Sequence, residues 1–285
     1  MPRPPPLLAP SVRLLADDSY TAQRERLAQQ AERTGWFGGG GRIRCYSRAD
    51  AERLAASSAA ALDVLNLPRG GGYWLWKPLV IQDALSQLPD GSALLYADAG
   101  CSLYPSETAD WHAKLRELSD TRPIDAMRLT GRTIDGKKVN NGAWCRGDTA
   151  QAVLGGADKG GGADRGGADR GGADRDGGTR RAVLDHFFAA EQIEANRVLI
   201  LACDSSRRLV DDWARLALAS PQLFTDAPST IPNELGFHEH RHDQAIFSAL
   251  MFRRGWSGSL TWRCAVATRL RTESMEYWES RGTAR

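Results

Sequence analysis

The stretch from Arg69 to Cys101, RGGGYWLWKPLVIQDALSQLPDGSALLYADAGC, constrains the fold more than any other part of the chain. It reads in order as a glycine-rich loop, an aromatic cluster, a helix, a turn, a strand and a carboxylate-bearing loop. Pro78 stands where a helical apolar pattern begins (Leu79, Val80, Ile81, Ala84, Leu85, Leu88), and proline in a first helical turn loses no needed N–H. Pro89-Asp90-Gly91 makes a turn. Ser92 to Ala97 is a nearly continuous apolar run, the pattern of a strand buried on both faces, and Asp98 leaves its carboxyl end beside Ala99 and Gly100. In open α/β sheets that edge is where ligands bind, so Asp98 is the first candidate for a metal or polar-ligand contact.

The rest of the chain supports an α/β reading. Arg42 to Ser47 reads as the first strand, Ala49 to Leu65 as one helix, Thr108 to Ser119 as an amphipathic helix and Ile124 to Leu129 as a strand. A turn-rich segment, Asn140 to Cys145, leads to a short helix around Asp148 to Leu154. Arg181 to Gln192 is a further helix and Arg197 to Cys203 a second buried strand. Asp204-Ser205-Ser206 then caps a helix through Trp213. Pro221 to Gly236 is a loop long enough to lie across a cleft. His240 to Phe252 turns from polar groups to a helical apolar stripe, and Leu260 to Ala267 reads as a last strand.

Flanking and inserted segments look different. Residues 1–16 are proline-rich and read as irregular, the globular domain runs over 17–270, and 271–285 form a charged tail. Residues 155–179 repeat a GGADR theme with no large apolar side chain, the composition of a disordered insertion. Gly38 to Gly41 lacks the spacing and lysine of a P-loop and reads as a flexible loop.

With 37 basic and 35 acidic residues the net charge is +2, which gives no electrostatic case for nucleic acid or an anionic membrane. The five cysteines are scattered without CxxC spacing, and their odd number argues against a closed disulfide framework and for a reducing compartment. No apolar run approaches the ~18 residues of a membrane span, so no transmembrane segment is expected. The location expected is cytoplasmic, or the Golgi lumen if the N-terminus is incomplete.

Tyr73-Trp74-Leu75-Trp76-Lys77-Pro78 followed by Tyr96-Ala97-Asp98-Ala99-Gly100-Cys101 resembles a family of GT-A-fold, nucleotide-sugar-dependent glycosyltransferase-like proteins. Gly35-Trp36-Phe37 leading into Arg42 to Ser47, and the late element His240-Arg241-His242-Asp243-Gln244, resemble the same family. The resemblance implies a single-domain α/β fold of the GT-A type, an open mixed sheet flanked by helices. It further implies transfer of a sugar from a nucleotide-diphosphate-sugar donor to a hydroxyl of a glycan or other acceptor. A DxD-type motif would hold Mn²⁺ or Mg²⁺, with Asp98 as ligand, although Gly100 stands where a full motif has its second aspartate. An alternative on the same fold is a catalytically inactive carbohydrate- or nucleotide-binding protein.

Within that frame each cluster has a role. Lys77 and Arg69 are cations that could meet a diphosphate, and Tyr73 or Trp74 could stack on the base. Trp74 and Trp76 alternate around Leu75 and would share a face on an extended segment. Under the resemblance His240 and Arg241 line the donor or acceptor side. Asp243 with Gln244 is the catalytic candidate, as general base if the reaction inverts or as a sugar contact if it retains. His238, His240 and His242 have strand-like spacing that could build a zinc site, the basis of a third reading as a metal hydrolase.

Overall fold

In the computed structural model, residues 11–15, 21–37, 43–131, 133–134, 136–155 and 175–258 are described. The elements run β1 (Ser11–Leu15), α1 (Thr21–Thr34), β2 (Ile43–Tyr46), α2 (Arg48–Ala55), α3 (Ala59–Leu65), α4 (Gly70–Tyr73), α5 (Trp76–Ser86) and β3 (Ala93–Asp98). They continue with α6 (Thr108–Glu117), β4 (Ile124–Arg128), the two-residue strands β5 (Thr133–Ile134) and β6 (Lys137–Lys138), α7 (Asn141–Trp144) and α8 (Gly147–Leu154). The last are α9 (Arg175–Ala189), β7 (Ile193–Leu201), α10 (Asp204–Ala219) and α11 (His242–Arg253).

Five strands form one open mixed sheet in the order β2-β1-β3-β7-β4, with β1 parallel to β2 and β3, and β7 antiparallel to β3 and β4. The expectation of a strand buried on both faces holds for β3. Leu94 and Tyr96 enter a core shared with α5, α10 and α11, while Ala93, Leu95 and Ala97 enter a second core with Leu27 of α1 and Trp111 of α6. β7 divides in the same way, with Val198 and Ile200 on the first face and Leu199 on the second. Successive side chains of a strand point to opposite faces, so helices must cover both. Trp36 stacks on Trp111 with ring centroids 5.0 Å apart, closing the second core. No helix among the described residues is long and apolar enough to cross a membrane.

Several local expectations are corrected. Ser11–Leu15, expected to be irregular, is the strand between β2 and β3. The single helix expected over Ala49 to Leu65 is two, because Ser58 accepts from the Ala61 N–H and caps a new start. Helix α9 begins at Arg175, inside the 155–179 insertion. Of the expected cap Asp204-Ser205-Ser206, it is Ser206 that bonds, its hydroxyl accepting from the Cys203 N–H at 3.2 Å. The expected strand at 260–267, the tail, the glycine run at 38–41 and most of the insertion lie outside the described residues.

The glycine-rich stretch before Lys77 is the most unusual piece of backbone. Gly70, Gly71, Gly72, Tyr73 and Trp74 all have positive φ, between +53° and +94°, so the chain winds one left-handed turn before α5. Trp74 and Trp76 therefore share no extended segment. L-residues in this conformation cost roughly 1–2 kcal/mol each, which falls here on Tyr73 and Trp74. Hydrogen bonds hold the turn: the Trp74 N–H and the Trp76 indole both donate to Gly70 O at 3.2 Å. Gly72 packs so closely that a Cβ would lie 2.5 Å from Leu65 Cα and 2.8 Å from Leu65 O. Gly72→Ala should therefore cost about 2 kcal/mol, through overpacking against backbone as well as strain. Gly91, with φ +81° and open space around it, is the control in urea unfolding: an equal loss for Gly91→Ala would mean that the clash does not matter.

Candidate functional site

The sheet order sets where a ligand fits. β1 is followed by β2 on one side while β3 pairs on its other side, which makes the carboxyl ends of β1 and β3 a switch point, and Leu15 and Asp98 are in register there. Asp98 ends β3 at that edge with 26% of its side chain exposed. Lys77, in the first turn of α5, reaches it: Nζ lies 3.3 Å from Asp98 Oδ1 and 2.7 Å from Asp243 Oδ2. Asp243 sits in the first turn of α11, where the helix dipole favours a carboxylate. Residues from the WKP, YADAG and HRHDQ motifs thus meet as a carboxylate, an ammonium and a second carboxylate.

The cluster is deeply set. The side chains of Lys77 and Asp243 are 3% and 6% exposed. Burial pushes the Asp243 carboxyl up to about 6, although Lys77 pulls it back. Burial acts on Lys77 in the opposite sense, toward the neutral amine, but Asp243 and Asp98 outweigh it and its pKa is raised, so the ammonium stays charged. The Tyr96 hydroxyl donates to Asp98 Oδ1, and the Lys77 ammonium lies 5.6 Å from the Tyr96 ring centroid and 6.0 Å from that of Trp76. Cys101 beside the cluster is no nucleophile, since burial first and Asp98 second push its thiol up to about 12.

The left-handed turn reaches the site from the other side. Besides Tyr73 and Trp74, the one non-glycine residue with positive φ among those described is His242, at +48°, and its ring contacts both of theirs. Tyr73 and His242 have centroids 5.1 Å apart, and Trp74 stacks on His242 at 5.4 Å and 25°. Such strained residues gather at functional sites when surrounding packing holds them. His242 Nδ1 bonds Phe224 O at 2.9 Å, so its N–H is there and Nε2 carries a lone pair with no hydrogen-bond donor. Asp243 Oδ2, by contrast, is met by the Lys77 ammonium at 2.7 Å.

The other expected site residues divide. Arg69 lies on the rim, ion-paired to Asp226 at 2.7 Å and to Glu239 at 3.6 Å. Arg241 shares Glu239 at 3.0 Å and covers the Trp144 ring at 4.4 Å. His240 has both ring nitrogens bonded within the protein: its Nδ1 accepts from the Arg146 N–H and its Nε2 bonds Leu223 O at 2.8 Å. Gln244 is engaged by Gln192, whose Oε1 accepts from it at 2.6 Å. The three-histidine zinc site is not formed either, because His238 packs its edge against Trp144 while His240 bonds backbone.

Arg146 is a residue the sequence reading missed. It is buried, forms a fork with Asp148 at 2.9 Å, and its Nη1 donates to Gln222 O, Thr225 O and Ala227 O. Asp148 in turn accepts from the Thr230 N–H at 3.2 Å. The loop that carries Asp226 over the aromatic turn is therefore pinned by one guanidinium. A separate hollow lined by Gln151, Leu154, Gly155, Arg180 and Leu184 shares no residue with this site.

The carboxylates do not fit the metal that a DxD motif implies. A hard divalent ion takes about six oxygen ligands at ~2.1–2.5 Å, whereas Lys77 already lies between Asp98 and Asp243. Among the described residues no group of three or more His, Cys, Asp or Glu is arranged to hold one.

No family model matches the chain, and no curated protein matches it in sequence. Among solved structures it is similar to apo mouse xyloside xylosyltransferase 1, with 9% identity and a TM-score of 0.37 over 90% of this chain and 76% of that one. It is also similar to galactosyltransferase LgtC in complex with donor and acceptor sugar analogues, with 14% identity and a TM-score of 0.34 over 84% and 70%. Likeness of this extent defines neither family nor activity.

Proposed function

We propose that the protein is a GT-A-like glycosyltransferase that moves a sugar from a nucleotide-diphosphate-sugar donor to a hydroxyl of a glycan or other acceptor. The observation that carries this reading is the convergence of Lys77, Asp98 and Asp243, from three motifs distant in sequence, at the switch point of an α/β sheet. In the reaction the acceptor oxygen bonds to the anomeric carbon, and the bond from that carbon to the diphosphate breaks with its electron pair leaving on the phosphate. Asp243 takes the hydroxyl proton; a carboxyl pushed up to about 6 is ionised at neutral pH yet more basic than an ordinary aspartate. Lys77 holds Asp243 in position. Arg69 and Arg241 are the rim cations that would meet the diphosphate in exchange for their present partners, Asp226 and Glu239, and Tyr73 with Trp74 offers ring surface to the nucleotide.

The alternative, a binding protein without turnover, is favoured by one observation: Asp98-Ala99-Gly100 brings a single carboxylate, and it is already ion-paired with Lys77. Nucleotide release from a panel of nucleotide sugars, with melting shifts measured in parallel, decides between them. Turnover that Asp243→Asn lowers by about 10²–10⁴-fold without loss of the melting shift is the expected result. A shift with no release in wild type supports the alternative, and the absence of both overturns the donor-site reading.

A further inference from the structure

Charge and unmet hydrogen bonds say more about what the Lys77 cluster can hold. Lys77 brings one positive charge against the two carboxylates of Asp98 and Asp243, so the cluster carries a net charge of −1 in a largely buried setting. The rim adds Arg69 and Arg241, but Asp226 and Glu239 pair with them and leave that balance unchanged. An anionic group placed against Asp98 and Asp243 would meet repulsion in a medium that screens poorly.

The unmet acceptor points the same way. His242 Nε2, on the buried residue next to Asp243, is an acceptor without a hydrogen-bond donor and faces the Asp226 carboxylate at 3.8 Å, whereas Asp243 Oδ2 already has the Lys77 ammonium at 2.7 Å. A buried acceptor left unsatisfied is costly, and a ligand rich in O–H groups supplies what is missing. The partly exposed carboxylate of Asp98 gives the cluster its open side, and Tyr73, Trp74 and His242 add ring surface for the apolar C–H face of a ring.

We propose that Asp98, Lys77 and Asp243, with His242, form the subsite for the transferred sugar, and that this subsite selects neutral, hydroxyl-rich sugars and rejects anionic ones. The diphosphate then lies toward Arg69 and Arg241 rather than on Lys77. This rests on the nucleotide-sugar reading above and names the class of sugar.

Calorimetric titration of the full chain with UDP, UDP-glucose, UDP-galactose, UDP-xylose and UDP-glucuronate, and with GDP and GDP-mannose, tests it. At least one neutral conjugate should bind roughly tenfold or more tighter than its bare diphosphate, the affinity that one or two satisfied hydrogen bonds confer. UDP-glucuronate should gain nothing over UDP. Asp98→Asn keeps an acceptor for the Tyr96 hydroxyl and removes one negative charge, so it should narrow the gap between uronate and neutral conjugates. Asp243→Asn, checked for folding by its melting transition, is the second variant and should do the same. If UDP-glucuronate binds as well as the neutral conjugates, or bare diphosphates bind as tightly as any of them, the sugar subsite is overturned while the donor reading stands. If no nucleotide or conjugate binds, both fall.

Discussion

Lys77→Met is expected to destabilise the protein by about 3–5 kcal/mol, the usual result of removing one partner from a buried ion pair. Methionine fills much of the same volume, so the loss reports charge rather than packing. What remains is Asp243, almost wholly buried, facing Asp98 with no cation between them. Burial already pushes the Asp243 carboxyl up to about 6 with Lys77 present, and without Lys77 it must rise further. The sign of the pH dependence follows. A carboxyl raised in the folded state contributes stability that is present at low pH and lost as pH rises through its folded pKa. The deficit of Lys77→Met should therefore be largest near neutrality and shrink under acid conditions as Asp243 takes up a proton. Urea unfolding at several pH values measures this. The double variant Lys77→Met with Asp243→Asn should recover part of the loss, with a coupling of about 0.5–3 kcal/mol. A deficit that does not change with pH, or two effects that simply add, would mean that the pair is not the electrostatic unit described.

How much of this was legible in the sequence depends on whether the signal was local. β3 and Asp98 were, because a run buried on both faces is apolar at every position and the next residue must sit at the sheet edge. The alternation of strands and helices gave the α/β class for the same reason. β1 was not: five residues beside prolines carry no pattern of their own, and Ser11–Leu15 is a strand only because β2 and β3 flank it. The break between α2 and α3 had a local sign in Ser58, which alanines on both sides masked. The left-handed turn was written in Gly70, Gly71 and Gly72, but that Tyr73 and Trp74 follow them into the same region depends on packing against His242. Lys77, Asp98 and Asp243 were each singled out, yet nothing in the spacing says that the ammonium lies between the two carboxylates. That His240 bonds Leu223 and Gln244 bonds Gln192 was not legible, because those partners are distant in sequence. Arg146 had no signal at all, since its three carbonyl acceptors lie in a loop about which composition says nothing.

Acidification should unfold the protein from the side of the aromatic turn. Burial holds His240 down to about 3, with His242 adding to it, and Arg146 and Asp148 are the other charges facing it. Burial likewise holds His242 down to about 4, with Arg69 and Arg241 pushing the same way and Asp226 opposing. A group depressed in the folded state contributes stability that is present above its unfolded pKa, 6.5 here, and lost as pH falls. Each tenfold difference in proton affinity is worth about 1.4 kcal/mol, so at about pH 5 each imidazole removes roughly 2 kcal/mol. Asp243 works in the opposite direction and returns about 1 kcal/mol over the same range, which leaves a net loss of about 3 kcal/mol. Chemical unfolding between about pH 7.5 and about pH 5 measures it. His242→Asn is the informative variant, because asparagine tolerates the left-handed backbone at φ +48° and cannot titrate. It should remove about half of the imidazole slope. A wild-type profile flat over this range, or a slope that His242→Asn leaves intact, would show that the two histidines are not held neutral by the packing of the aromatic turn and the Arg146 loop.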